Sequence, residues 1–215
     1  MAEFQGRERT MQVVGRSVQS LIRQDQFANI TVSQSLPKYT DLALNNLLYT
    51  AFTATGTYAA PAIAPLTTNA QHCLYNPAGS GKLIVPLSCW TMLESGTPAI
   101  RGSLWGAVTA SAESTTMTAY ASSTKAGLGH NGTAVGIYDA VVTLDATPQW
   151  FQLAAETRLA ADVESAGIQV DDLKGLIVVP EDRAFCISLR DSDTGSTPLY
   201  NGGFIWAELT GVAQS

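Results

Sequence analysis

The chain has 215 residues, of which 46% are hydrophobic and 14% are charged, and its formal net charge is −6. This balance excludes extensive disorder, which needs high charge and low apolar content. The acidic charge argues against a general nucleic-acid binder, because neutralising phosphates requires clustered Lys and Arg. No apolar run approaches about 18 residues, so no membrane-spanning helix is expected.

The first 60 residues predict an N-terminal arm of short helices and extended segments. Between Thr10 and Gln26, apolar side chains recur at helical spacing, which favours an amphipathic helix. Asp41 is a candidate N-cap for a second short helix, and Gly56 is its candidate stop. Such an arm cannot bury its own apolar stripes, so we expect it to pack on the body, on a sister subunit or on another protein. The candidate interface residues are Met11, Val14, Val18, Leu21, Leu44, Leu47, Leu48 and Phe52.

Residues 61–70 predict an extended linker, and residues 71–215 predict a body of short strands. Turn residues separate the apolar runs at fairly regular intervals, which is typical of a β-sandwich or barrel. Pro86 predicts a bulge or an edge inside its strand, because Pro cannot donate to a ladder. The acidic segment Thr157–Leu173 interrupts the pattern and is interpreted as a helical turn or a long loop. The predicted strands are Gln71–Asn76, Lys82–Leu93, Arg101–Ser111, Thr115–Ser122, Ala134–Leu144, Trp150–Ala155, Gly175–Val179, Ala184–Leu189 and Gly203–Leu209.

Charge divides the arm from the body. The first 38 residues carry a net charge of +2 and the remainder carries −8. This asymmetry suggests that the two ends meet different partners, although chance placement explains it equally well. The chain is rich in Ser and Thr, which cover surface with little charge. A surface of this kind favours subunit contacts and predicts an obligate oligomer.

The three cysteines predict buried thiols rather than a metal or redox motif. Cys73, Cys89 and Cys186 are odd in number, lie far apart, and each falls in an apolar run. No C-x-x-C pair is present, which argues against a zinc knuckle. We interpret the three side chains as small hydrophobic groups in a protein that folds in a reducing compartment.

Two loops resemble ligand-binding motifs but depart from them. Asn76–Leu83 looks like a phosphate-binding loop, yet Asn76 replaces its first glycine and Leu83 replaces its last hydroxyl residue. Asp191–Gly195 begins like a calcium loop, yet Tyr200 and Asn201 stand where the bidentate acid is needed. Both segments are interpreted as turns.

No catalytic constellation emerges from the sequence. A hydrolase triad needs a histidine base, and the only two histidines are His72, in a predicted strand, and His130, in a glycine-rich loop. Spacing alone pairs none of the acids. We therefore predict no catalytic, cofactor-binding or metal-binding residue. The acids available to a glycosidase-type pair are Asp139, Asp145, Glu156, Asp162, Glu164, Asp171 and Asp172.

Three segments of the body carry a family resemblance. Asn76–Lys82 and the apolar run after it resemble the opening hairpin of jelly-roll virion proteins of tailed bacteriophages. Leu176–Glu181 and Ala184–Leu189 are similar to the closing pattern of that family, in which a strand that ends in Pro turns into the next strand. Gly202–Leu209 resembles its last strand, where aromatic residues precede an acidic one. The resemblance covers roughly the last two-thirds of the chain and does not include the arm.

The resemblance implies a capsid decoration or cement protein with a single jelly-roll-like β-sandwich. Such proteins are commonly homotrimers that bridge capsid subunits on the virion, with no cofactor, catalysis, nucleic acid or membrane. We therefore expect a phage structural protein, assembled in the host cytoplasm, whose partner is the major capsid protein or another virion protein. Three alternatives stay open: a receptor- or glycan-binding head of a tail fibre or spike that uses Ala112–Thr133, a polysaccharide-cleaving enzyme, and a self-assembling capsid protein.

Overall fold

The structure, a computed structural model, describes residues 9–13, 16–20, 39–53, 67–96, 101–110, 126–128, 133–157, 167–191 and 198–210. The chain divides into two compact units, Met1–Lys38 and Tyr39–Ser215.

The described part of the first unit is a β-hairpin. Strands β1 (Arg9–Val13) and β2 (Arg16–Ser20) pair antiparallel, with Met11 opposite Val18. The helix predicted over Thr10–Gln26 is therefore wrong in these two stretches. Met11 and Val13 alternate with polar neighbours, and this period of two fits a strand. The candidate interface residues Val14 and Leu21 lie outside the described residues.

The described residues of the second unit form one short helix and two five-stranded antiparallel sheets. The first sheet has the order β10-β5-β12-β3-β7, and the second has the order β8-β4-β11-β6-β9. The elements are α1 (Thr40–Leu44), β3 (Leu48–Phe52), β4 (Asn69–Asn76), β5 (Lys82–Ser95), β6 (Arg101–Val108), β7 (Ala126–Gly127), β8 (Ile137–Thr143), β9 (Phe151–Thr157), β10 (Gly167–Val170), β11 (Arg183–Asp191) and β12 (Leu199–Thr210).

Strand pairing in the body is nested. The first strand β3 lies beside the last strand β12, β4 lies beside β11, β5 lies beside β10, and β6 lies beside β9. The two remaining strands, β7 and β8, come between β6 and β9 in the chain and extend one edge of each sheet. Each connection from β3 to β6 and from β9 to β12 therefore passes from one sheet to the other.

The main core lies between the two sheets. Phe185 of β11 and Phe204 of β12 meet edge to face with ring centroids 5.7 Å apart, and both are fully buried. Leu74 and Ile187 of the second sheet join the same cluster as Ile84 and Trp206 of the first. Each such side chain contributes about 1.5–3 kcal/mol by leaving water. The prediction of a mainly β chain built as a sandwich of antiparallel sheets is confirmed.

The body begins earlier in the chain than predicted. Helix α1 is confined to Thr40–Leu44, and Leu48–Phe52 forms β3 between β12 and β7. The chain divides after Lys38, so residues 39–53 belong to the second unit, whereas the sequence predicted an arm that runs to residue 60. Asn46 adopts a positive φ of 59°, which ends the helical turn before the alternating β3 begins.

Two further predictions differ from the structure. Gly167–Val170 is strand β10, although it lies in the segment interpreted as a helical turn or loop. Gly175–Val179 is not a strand, and within it only Val179 makes a β-bridge, to Ile84. The bulge predicted at Pro86 is confirmed. The β5–β12 register shifts there, so that Ile205 pairs with Ser88 while Trp206 pairs with Pro86.

Candidate functional site

The candidate interface residues that belong to the described second unit differ in exposure. Leu44, at the end of α1, is 69% exposed, and Phe52, at the end of β3, is 53% exposed. Leu47 is half-buried. Leu48 is buried against Leu87 and Ala207, so it belongs to the packing of the body. Within the proposed set, Leu44 and Phe52 are therefore the exposed positions of the described second unit.

Helix α1 packs on the outer face of the first sheet. Its residues Leu42 and Ala43 pack on the cluster of Leu48, Leu87 and Ala207. This helix is tied to the segment that follows β10, because the Tyr39 hydroxyl donates a 2.8 Å hydrogen bond to Asp172 Oδ1.

The segment that follows β10 runs beside β5 and exposes large apolar side chains. Leu173 N donates to Leu87 O at 2.8 Å, and Val179 exchanges two backbone hydrogen bonds with Ile84. Between these anchors Leu176 is 85% exposed and Val178 is 46% exposed. We use the term flank surface as a collective name for the exposed side chains Leu44, Leu176 and Val178. Sequence reasoning missed its last two members because a predicted strand over Gly175–Val179 implied that they were buried.

Exposed large side chains follow one row further along the same outer face. Phe52 pairs with Gly203, and Gly203 pairs with Trp90, so the three residues form one row across β3, β12 and β5. The Trp90 indole lies against Gly203, where a Cβ would come within 2.5 Å of Cζ2. Met92, one position further along this face of β5, is 52% exposed. We name Phe52, Trp90 and Met92 the aromatic row.

Polar groups border the aromatic row. Asn201, which pairs with Met92, donates from Nδ2 to Glu94 Oε2 at 2.8 Å. The exposed Gln169 lies opposite Trp90 on β10. An exposed aromatic and thioether surface with a polar rim is the composition of a protein–protein contact.

The histidine that sequence reasoning placed in a strand is part of a buried polar network. His72 is fully buried in β4, and its Nδ1 lies 2.9 Å from the Tyr138 hydroxyl. That hydroxyl also lies 2.9 Å from Thr53 Oγ1 and donates to Gly202 O at 3.0 Å. Burial lowers the pKa of His72 to about 3 and raises the pKa of Tyr138. The imidazole is therefore neutral and inaccessible at pH 7, which does not suit a general base acting on a substrate.

Two atoms near this network have no hydrogen-bond partner among the described residues. They are His72 Nε2 and Thr91 Oγ1. Thr91 pairs with Gly202, and a Cβ at Gly202 would come within 2.6 Å of His72 Nε2. Both atoms therefore belong to the interior beside β12.

The loop that resembles a phosphate-binding motif already holds a carboxylate of the chain. Glu181 accepts hydrogen bonds from Gly79 N at 3.0 Å and from Gly81 N at 2.8 Å. Both glycines have positive φ, which turns their N–H groups toward one side of the loop. Asn76 fixes the base of the loop by donating to Lys82 O and Val179 O. The interpretation of this segment as a structural turn is confirmed.

The candidate acids are not brought together into a described pair. Asp139 is 9% exposed on β8, and burial raises its pKa to about 6. Asp145 and Asp171 are exposed on other segments. Among the described residues, no group of three or more His, Cys, Asp or Glu side chains is placed to hold a metal ion. His130, Asp162, Glu164 and most of the calcium-like loop lie outside the described residues, as does the Glu156 side chain.

The four tryptophans take different positions in the body. Trp206 is fully buried in the core, and Trp90 lies in the aromatic row. Trp105 Nε1 donates to Ser103 Oγ, and Trp150 Nε1 donates to Thr67 O.

Comparisons with protein-family models, with curated proteins and with solved structures found no match for this chain. In the part of the chain that the structure describes, no helix has the length and apolar character needed to cross a membrane.

Proposed function

We propose that this protein is a structural component of a phage particle, a capsid decoration or cement protein with a jelly-roll body. The observation that carries the proposal is the nested strand order. The two five-stranded sheets contain β3 to β12. When β7 and β8 are set aside and the remaining eight strands are renumbered 1 to 8 in chain order, the sheets have the orders 1-8-3-6 and 2-7-4-5. This order arises when one long antiparallel hairpin is rolled across two sheets, and double-sheet jelly rolls are common in viral capsid proteins.

The proposed mechanism is adhesion. The flank surface and the aromatic row expose Leu44, Leu176, Phe52 and Met92, each at more than half of its full area. Burying apolar surface contributes about 25 cal/mol per Å2. A modest contact becomes strong when several linked subunits engage a shell at once. The protein would act as a homotrimer that bridges neighbouring copies of the major capsid protein.

The experiment measures binding to the shell. Full-length protein is mixed with capsids assembled from the major capsid protein of the same phage genome, and bound protein is quantified after sedimentation. We expect saturable binding, and a native mass near three times 22.7 kDa by light scattering. A protein that stays monomeric and does not cosediment would overturn the proposal.

Matched variants identify the adhesive face. Replacing both Leu44 and Leu176 with Ser should reduce capsid binding at least tenfold with little change in Tm, because both side chains are exposed. The control is Phe151→Ser, which removes an exposed aromatic side chain from β9 of the other sheet. Equal binding by both variants would mean that the flank surface does not touch the shell.

A receptor- or glycan-binding head of a tail fibre is the second candidate. The row of Phe52 and Trp90 favours it, because aromatic rings beside polar groups such as Asn201 suit sugar rings. Glycan-array binding that is lost in Phe52→Ala, without capsid cosedimentation, would favour this function over the first.

A further inference from the structure

Two cysteines that are distant in the sequence are direct neighbours in the second sheet. Cys73 of β4 and Cys186 of β11 are cross-strand partners in the antiparallel ladder. They are 113 positions apart in the chain. Both are fully buried, and both are present as thiols. Residues directly opposite each other project from the same face of a sheet, and here that face carries the cluster of Tyr75, Ala184 and Val142.

The hydrogen bonds of the neighbouring strand define the geometry of this pair. Thr109 N donates to Ala184 O at 2.9 Å, so the backbone groups of Ala184 point toward the β6 side of β11. Because these groups alternate along a strand, those of Cys186 also point toward β6. The pair between Cys186 and Cys73 is therefore of the non-hydrogen-bonded kind, in which side chains come closest.

Such a pair is close enough for a disulfide. In non-hydrogen-bonded pairs the Cα atoms are about 4.5 Å apart. Disulfides occur at Cα separations of about 4.4–6.8 Å. The bond would therefore form with a small movement of two side chains and without a shift of register.

The third cysteine lies elsewhere. Cys89 of β5 faces the main core between the sheets, where it pairs with Phe204 and Val170. Burial there raises the pKa of its thiol to about 12. Cys89 therefore provides an internal control, because it is equally buried but has no cysteine opposite it.

We propose that Cys73 and Cys186 are a latent disulfide site that closes when the folded protein meets a hydroperoxide. One thiol gives its proton to water, and its thiolate sulfur attacks an oxygen of hydrogen peroxide. This forms a sulfenic acid and releases hydroxide, which takes up a proton to become water. The second thiol then attacks the sulfenic sulfur, forms the S–S bond and releases another water. Two thiols are oxidised by two electrons in total, and one peroxide is reduced to two waters.

The neighbours of the pair make it slow to react. Neither cysteine is accessible to solvent, and the Asp139 carboxylate lies on β8 opposite Cys73. The site therefore stays reduced in the compartment where the chain folds and closes only on sustained exposure to oxidant. The inference does not depend on the proposed function.

The test uses full-length Cys89→Ser protein treated with hydrogen peroxide and then alkylated under denaturing conditions. We expect an intact mass lower by 2 Da before alkylation and no alkylated thiol. The tryptic peptide Ala184–Arg190 should be linked to the peptide that contains Cys73. Wild-type protein should retain one alkylated thiol, on Cys89. Two alkylated thiols in the treated Cys89→Ser protein would overturn the proposal.

Two controls distinguish a disulfide that the native fold directs from one that forms by random encounter of thiols. Cys186→Ala removes the partner with little change in shape, so its treated protein should contain no linked peptide while its Tm shows that it remains folded. Wild-type protein oxidised in denaturant should favour a bond between Cys73 and Cys89, which are only 16 positions apart. A Cys73–Cys89 link formed in the native protein would also overturn the proposal.

Discussion

Gly202 lies against the imidazole of His72, so closely that a Cβ at position 202 would come within 2.6 Å of Nε2. The same Cβ would come within 2.7 Å of the carbonyl oxygen of Trp90, so neither side of the site can give way easily. Because the two strands approach so closely, Gly202 O accepts hydrogen bonds from the Tyr138 and Thr53 hydroxyls. Both hydroxyls are buried, so each needs a hydrogen-bond partner inside the protein. The glycine thus allows a polar network to exist at this depth.

We predict that Gly202→Ala destabilises the protein by about 2–4 kcal/mol, because the added methyl group overpacks the interior. Urea unfolding measures the change. The control is Gly102→Ala in β6, where the nearest atoms would lie 3.7 Å from the new Cβ and the cost should stay below about 1 kcal/mol. Equal stability losses in the two variants would show that the contact with His72 is not the cause.

Acid stability should depend on His72. Its folded pKa of about 3 lies below its ordinary value of 6.5, so the unfolded chain binds more protons between these values and stability is lost as pH falls. His72→Asn keeps a polar atom where Nδ1 stands but does not titrate. As the pH falls from 7.5 to 4.5, the free energy of unfolding of the variant should rise by about 2–3 kcal/mol relative to that of wild type. A stability difference that is constant with pH would contradict the assignment.

Asp139 should make the protein less stable at high pH, opposite to the effect of His72. Burial raises its folded pKa to about 6 from 3.8, so the native state binds more protons in this window and stability is lost as pH rises. Asp139→Asn keeps an acceptor for Ala140 N, which donates to Oδ1 at 2.7 Å. As the pH rises from 4 to 7, the free energy of unfolding of the variant should rise by about 2 kcal/mol relative to that of wild type. Thermal melts of both proteins across this pH range measure the difference. A variant whose advantage over wild type grows as the pH falls would refute the prediction.

The turn between β4 and β5 should depend on Glu181. Glu181→Ala removes the acceptor of Gly79 N and Gly81 N, and we expect a loss of about 1–2 kcal/mol. Glu181→Gln retains one carbonyl oxygen and should lose about half as much. Chemical denaturation of both variants measures the order. Identical stabilities for the two variants would mean that the carboxylate does not hold the loop.

A second carboxylate organises the start of β8 from inside the core. Glu208 is 2% exposed and accepts from Gly136 N at 2.8 Å, Val135 N at 3.1 Å and Trp206 Nε1 at 3.1 Å. Glu208→Gln replaces one acceptor oxygen with an NH2 group that faces a donor. This substitution should lower the free energy of unfolding by about 2–3 kcal/mol. Glu94→Gln, an exposed carboxylate on β5, should change the free energy of unfolding by less than about 0.5 kcal/mol.

The strands of the body were predictable where turn residues and apolar runs agree. β4, β5, β11 and β12 each begin or end beside such a turn. β3 was mistaken for helix because Leu44, Leu47 and Leu48 fit a helical period, whereas the alternation from Leu48 to Phe52 is what the sheet uses. β10 was missed because only Ile168 and Val170 carry its apolar signal. Thr115–Ser122 stays a prediction, because it lies outside the described residues.

The site could be predicted less well than the fold. Leu176 follows a tight turn in which Lys174 and Gly175 have positive φ, and one sequence does not reveal on which side of such a turn a side chain lies. The meeting of Cys73 and Cys186 depends on a register set by strands far apart in the chain. Glu181 reaches the glycine loop for the same reason. Such relationships come from tertiary pairing, which local periodicity does not encode.

The nested pairing also orders events during synthesis. The innermost partners, β6 and β9, are both translated before any of β10, β11 or β12 exists. β3, among the earliest segments of the body to leave the ribosome, pairs with β12, the last of the described strands of the body. Each sheet therefore stays incomplete until its last strand has been made, β12 in the first sheet and β11 in the second. Until β12 has been made, β3 therefore keeps one unpaired edge, and an unpaired strand edge of this kind favours aggregation.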